Sequence, residues 1–427
     1  MSQSEYRPLL GTTNGHPHHT SLIRNVLNVI FSTGEPGWIA STKFLLSSSR
    51  INILLIFVPL SLVASRTAWS EGLIFVSSFM AITSLSSLLG EAVEQLTMSL
   101  NPASGALLNV LFGNAVEIII GMTALLRGEL KLIQAFLLGS ILSNLLLMFG
   151  MCSIAGGLRY SEMNFQVTAN QTGASLMTLA CIALIIPAAY HSTQKHISNF
   201  FSVRAAISYD DGQSQEDLLF VSHSTAIILL VVYILYLVFQ LKTHAHLYAA
   251  DWDGEEDEEV EPSMSTISAC AWLSITTVVA AFCAKILVGS VKQTANKYHI
   301  SEAFIGLIIL PIATNTAEHI KSIQMAIRGK FEDSLSVSIG SSIQITALVV
   351  PLLVVVSWVT GSKLTLYFTE FETILLFVSI ILFNLHVMDG KSNYMKGLMM
   401  CALYIIIAIA RELPFFTLPA VSHLISF

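Results

Sequence analysis

The sequence predicts an all-α polytopic membrane protein of about eleven transmembrane helices, built as one extra helix followed by two inverted five-helix repeats. Three observations predict it. The 427 residues are 54% hydrophobic and only 11% charged, where a soluble domain carries about 25% charged residues. Eleven stretches are long and apolar enough to cross a bilayer. The segment Gly113-Asn114-Ala115-Val116-Glu117 recurs 201 residues later as Thr314-Asn315-Thr316-Ala317-Glu318, and the match runs on without a gap. Arg127-Gly128 falls on Arg328-Gly329, and Gly139-Ser140 on Gly340-Ser341.

Residues 1–50 are polar and rich in Ser, Thr and His, with no apolar core after a basic start. They are expected to form a disordered tail without a cleaved signal, so the first membrane helix acts as the insertion signal. Glu5-Tyr6-Arg7-Pro8-Leu9-Leu10 has the form of an acidic dileucine sorting address, and His16-Pro17-His18-His19 is read as part of the tail rather than as a metal site. A membrane helix needs about 20 mostly apolar residues. Candidates fall at 51–68, 70–99, 101–127, 130–157, 167–190, 217–241, 266–290, 300–328, 331–358, 364–387 and 394–412. This gives an extra helix at 51–68, a first repeat over 69–241, an acidic linker at 242–265 and a second repeat over 266–427. The offset maps five helices onto five. An odd number per repeat makes the halves enter the membrane in opposite directions.

The linker holds Asp251, Asp253, Glu255, Glu256, Asp257, Glu258, Glu259 and Glu261 within eleven residues. Gly254 stands fourth rather than sixth, so this is not an EF-hand loop. Two readings stay open: a solvated acidic connector, or a regulatory segment that gathers cations at one face. Cys152, Cys181, Cys270, Cys283 and Cys401 stand singly in apolar segments, as small hydrophobes do. The positive-inside rule does not decide the orientation, and nothing suggests a nucleic-acid partner.

Glu117 and Glu318 carry the chemistry. A carboxylate in mid-membrane costs about 2.5–3.5 kcal/mol on insertion scales, so it is read as functional. Asn114 lies three residues before Glu117, on the same helix face, and Asn315, Glu318 and His319 repeat that face. Gly113 and Pro311 are weak points that free backbone carbonyls. Two carboxylates, two amides and freed carbonyls suit Ca²⁺, a hard cation taking six to eight oxygens. Ser140, Ser143 and Asn144 add one polar face beside this set, and Ser338, Ser341 and Gln344 another. For Ser140 and Ser341, cation or water contact and helix packing remain alternatives; Gly139 and Gly340 are expected to serve packing. Glu91 is expected to pair with a nearby base, and Glu94 to line a cation entrance. Lys321 either pairs with Glu318 or snorkels outward. His319, whose ordinary titration lies near neutrality, is a candidate for proton coupling, and so is Glu94. If Ca²⁺ and protons compete for Glu117 and Glu318, alternating access to that site suffices for antiport. A membrane-embedded hydrolase is disfavoured by the absence of HExxH and GxSxG.

GNAVEIIIG at 113–121, the 315–319 segment and GSSIQ at 340–344 resemble the two signature repeats of the cation/proton exchanger family of the calcium/cation antiporters, and within it the fungal vacuolar Ca²⁺/H⁺ exchangers. The resemblance implies an eleven-helix antiporter, not an enzyme, in the vacuolar membrane. It also implies a cytosolic amino terminus and acidic segment, Ca²⁺ as cargo with Mn²⁺ as a second candidate, and no cofactor. Glu117 and Glu318 become the cation- and proton-binding carboxylates, Asn114, Asn315 and His319 their motif neighbours, and Glu94 the family's helix-2 glutamate. Exchange of a monovalent cation, or of Mn²⁺, for H⁺ on the same fold is the alternative, and a homo-oligomer is left open. The second motif departs from the family pattern: Thr314 replaces a glycine, which limits backbone approach and offers a hydroxyl.

Overall fold

The computed structural model describes residues 36–67, 69–205, 211–244 and 262–412. The dileucine-like segment at 5–10, the histidines at 16–19 and the acidic run 251–261 lie outside the described residues. The helices are α1 (Trp38–Ser47), α2 (Arg50–Ala64), α3 (Glu71–Met98), α4 (Ser104–Leu126), α5 (Leu130–Gly157) and α6 (Asn170–Tyr190). They continue with α7 (Glu216–Thr243), α8 (Thr266–Tyr298), α9 (Glu302–Ile327), α10 (Phe331–Val359), α11 (Glu370–Met388) and α12 (Tyr394–Glu412). Among the described residues, the ten from α3 to α12 are each long and apolar enough to cross a membrane, and α1 with α2 passes as one span bent by 99°.

The bend corrects two expected boundaries. Residues 38–47 are helical although they fall in the stretch read as tail, and the first span begins before residue 51. Lys43 and the serines dilute the hydropathy of α1, and Ser47-Ser48-Ser49 separates it from α2. The corner is held by polar side chains: the Ser49 hydroxyl accepts from Ile51 N, and the Asn52 amide donates to Leu45 O at 2.9 Å. Local signals start the other helices. Asn101 caps the helical piece Pro102–Phe112 that forms the first part of α4, Ser265 caps α8, and Thr369 with Glu372 makes a capping box on α11.

Contacts at the helix ends sort the connections onto two faces. On face B, Lys292 at the end of α8 meets Glu129 just before α5 at 3.0 Å. On face A, Ser263 N, just before α8, donates to Gln95 Oε1 near the end of α3 at 2.8 Å. There too the loop strand β1 (Met163–Asn164) pairs antiparallel with β2 (Lys391–Ser392). So α3 starts on face B and α8 on face A, and the sets α3–α7 and α8–α12 run in opposite senses.

The backbone repeats along with the sequence. Gly128 (φ 72°) and Gly329 (φ 88°) take the left-handed conformation. Each is followed by the same helix-ending bond, Glu129 N to Ala124 O and Lys330 N to Met325 O, both at 3.0 Å. A π-turn interrupts α5 at Ser143–Met148 and its counterpart α10 at Ile345–Val349. The 201-residue offset holds for four helix pairs and fails for the fifth. The helix containing α6 runs on to Ala205, while α11 stops at Met388, so α12 follows much sooner after α11 than α7 follows α6. α5 lies at the centre, with Leu138, Ile141, Leu142 and Leu145 fully buried.

Candidate functional site

The two motifs sit on helices distorted in different ways. α4 breaks at its motif: one helical piece ends at Phe112, the next starts at Ala115, and Asn114 between them has φ −108° and ψ 34°. Gly113 permits the break, because a Cβ there would lie 2.5 Å from Asn109 O. Glu117 thus falls in the first turn of a new helix, where the backbone N–H groups favour an anion. α9 instead runs unbroken through Thr314–Glu318. Its distortion lies upstream, a π-turn at Ile305–Ile309 followed by Pro311.

Side chains from both repeats join into one hydrogen-bonded cluster. Asn114 Nδ2 donates to Gln344 Oε1 at 2.5 Å. Ser341 Oγ lies 3.3 Å from Asn114 Oδ1 and 3.4 Å from Glu318 Oε2, tying the first motif to the second carboxylate. Asn144 Nδ2 donates to Ser341 Oγ at 2.9 Å, and Ser338 Oγ to Asn144 O at 2.7 Å. Glu117 is buried, Glu318 is half-buried, and the two carboxylates lie within electrostatic reach of one another. The Thr314 hydroxyl faces Glu117 and also bonds Pro311 O at 3.3 Å and Asn315 Oδ1 at 3.2 Å. Among the described residues, the buried Ser140 Oγ and Asn315 Nδ2 have no hydrogen-bond partner.

Other sequence candidates fall elsewhere. The His319 ring nitrogen lies 3.5 Å from Ser143 Oγ and 3.4 Å from Asn144 Oδ1, so α5 holds it and neither carboxylate does. Lys321 does not pair with Glu318. It reaches across to α3, to Glu94 at 2.5 Å and Glu91 at 3.3 Å. Glu91 therefore has the basic partner expected of it, and Glu94, expected to line a cation entrance, shares that single ammonium with it. Gly139 packs against α9 so closely that a Cβ would overlap the Leu307 carbonyl, whereas nothing lies within 4 Å of a Cβ at Gly340. Packing thus holds for Gly139 and not for Gly340. Sequence reasoning missed two residues. Ser86 donates to Thr314 O at 2.5 Å, and Gln95 bridges Glu91 Oε1 at 3.3 Å to Ser263 N. Both signals were faint: a serine in a serine-rich helix and a glutamine one turn after a glutamate.

Replacing Lys321 by Met is expected to lower stability by roughly 1–2 kcal/mol, between the limits for exposed and buried pairs. Lys321→Arg should restore it. The midpoint of thermal unfolding in detergent is the readout, and an unchanged midpoint in the Met variant would show the pair to be inert.

Among the described residues, no three or more His, Cys, Asp or Glu converge. The donor set is two carboxylates with amide and hydroxyl oxygens, suited to a hard cation in transit rather than to a resident transition metal.

Known proteins share both the sequence and this architecture. The family model described as "Sodium/calcium exchanger protein" matches residues 70–242 and 268–411, one stretch per repeat. A vacuolar calcium ion transporter of Schizosaccharomyces pombe is 42% identical over 411 residues, covering 96% of this chain and 93% of that protein. A Ca²⁺/H⁺ antiporter of Synechocystis is 35% identical over 371 residues, covering 84% and 95%. The solved structure of native YfkE superposes with a TM-score of 0.70 at 30% identity, covering 85% of this chain and 100% of that one. The inverted repeats, the paired acidic motifs and these matches together place the chain in the sodium/calcium exchanger family.

Proposed function

We propose that the protein is a secondary active antiporter, not an enzyme, exchanging Ca²⁺ for H⁺ across the vacuolar membrane by alternating access. Glu117 and Glu318 serve as the shared cation- and proton-binding carboxylates. One observation carries the reading: the hydrogen-bonded chain Gln344–Asn114–Ser341–Glu318 joins the acidic motifs of the two oppositely running repeats. Relatives named as vacuolar calcium transporters and Ca²⁺/H⁺ antiporters support the choice of ions. Asn114, Asn315, Ser140 and Ser341 supply neutral oxygens to the ion, Gln344 orients Asn114, and Gly113 and Thr314 set the approach of the two motif backbones. A Ca²⁺ bound between the carboxylates leaves a nearly neutral site, and so does a pair of protons. Moving the empty, doubly charged site through the bilayer is far costlier, which couples the two fluxes.

The packing supports a state open to one side. Gly139 seals α5 against the face-B half of α9, while its counterpart Gly340, on the face-A half of α10, borders open space. This asymmetry supports a state that admits ions from face A.

In proteoliposomes, an imposed proton gradient should drive ⁴⁵Ca²⁺ uptake that collapses with the gradient. Mn²⁺ should compete and K⁺ or Na⁺ should not. Uptake of a monovalent ion with none of Ca²⁺ would favour the monovalent exchanger instead.

A further inference from the structure

We infer that a cleft at face B, between α2, α3 and α8, binds the phosphate headgroup of an anionic phospholipid. The cleft has a volume of about 450 Å³ and is lined by three cations, Arg66, Arg127 and Lys285, against one carboxylate, Glu71. Neither Arg66 nor Lys285 has an ionic partner among the described residues. Three cations gathered from just past the ends of α2 and α4 and from α8, facing a single carboxylate, make an attractive site for an anion.

Arg127 is positioned for that role. Its Nη2 donates to Lys285 O at 2.9 Å, which ties the end of α4 to α8. The guanidinium rests where Gly289 has no side chain: a Cβ there would lie 2.8 Å from Nη2 and 2.9 Å from Nη1. A planar fork held in this way presents its remaining N–H groups to phosphate oxygens.

The apolar surroundings distinguish a lipid from a soluble anion. Leu62, Ile74 and Ile286 form part of the wall. Along α8, Ile275, Val278 and Phe282 are exposed by 47%, 56% and 59%, spaced three and four residues apart, and the same stripe reaches Lys285 after three more. A stripe of that kind ending in a cation matches one acyl chain joined to one charged headgroup. A free phosphate or a soluble polyanion would gain nothing from it. An ordinary snorkelling lysine would account for Lys285 alone, but not for two arginines converging on it or for the glycine seat under one of them.

The test reads binding, independent of the ion that the protein carries. Short-chain phosphatidylglycerol should raise the thermal unfolding midpoint of the purified full chain in detergent. Phosphatidylcholine of the same chain length and inorganic phosphate should not. Arg66→Gln with Lys285→Gln, both at exposed positions, should weaken the phosphatidylglycerol response on the order of tenfold in concentration. Gly289→Leu, which displaces the Arg127 guanidinium, should weaken it as well. An equal response to phosphatidylcholine, the full response from phosphate alone, or variants that respond like the parent would each overturn the proposal.

Discussion

Glu117→Gln and Glu318→Gln are each expected to reduce proton-driven Ca²⁺ uptake to the level of protein-free liposomes, while the protein still inserts and unfolds cooperatively. Glutamine keeps the shape and the hydrogen-bonding oxygen but cannot carry the charge that balances a divalent ion or exchange a proton. The two losses should be similar in size although the environments differ, one residue buried in a fresh helix turn and the other half-buried on an unbroken helix. A calcium-binding isotherm measured alongside separates failed binding from failed movement. Full transport by either variant would remove that residue from the site. Asn114→Ala should be milder, because Ser341 still reaches Glu318 without it.

The second large effect concerns a pair of glycines that look equivalent in sequence and are not equivalent in space. Gly139→Val is expected to destabilise this state by about 3 kcal/mol, the upper end of overpacking costs, because the new side chain drives into the Leu307 carbonyl and Pro311. Gly340→Val should leave folding and insertion intact, since nothing lies within 4 Å of that position. Transport should nevertheless be lost. Under the proposed alternating access, closing face A would bring α10 as close to α4 as α5 now is to α9, and a branched side chain at 340 would prevent it. Thermal unfolding and flux measured on both variants give the contrast. A Gly340→Val protein with normal turnover would show that the two faces do not close by equivalent contacts.

Much of this was legible in the sequence, for identifiable reasons. Carboxylates inside apolar stretches stand out against their background, and a gapless repeat forces its two copies into matching positions. That is why Asn114, Gln344, Ser341 and Glu318 all stand out in the sequence. Distortions of the backbone were less visible. Gly113 and Pro311 each announce a weak point, but whether the helix breaks at the motif, as in α4, or absorbs the strain in a π-turn upstream, as in α9, depends on neighbouring helices. Lys321 shows the other limit. Its spacing suggested Glu318, one turn away on the same helix, yet the ammonium extends to Glu94 and Glu91 on a helix more than two hundred residues distant in sequence. Periodicity reports which residues share a face, not what that face meets. Helix α1 was missed because hydropathy averages over windows longer than its ten residues.

The unlike treatment of the two motif helices has a use beyond describing this state. In a molecule made of two copies turned upside down, each copy is a template for what the other can become. Under the proposed alternating access, imposing the broken path of α4 on α9, and the straight path of α9 on α4, would draw the opposite end of the working stroke from this one structure. Differences between the halves are then not noise in an imperfect duplication. On that proposal they measure how far each part would travel.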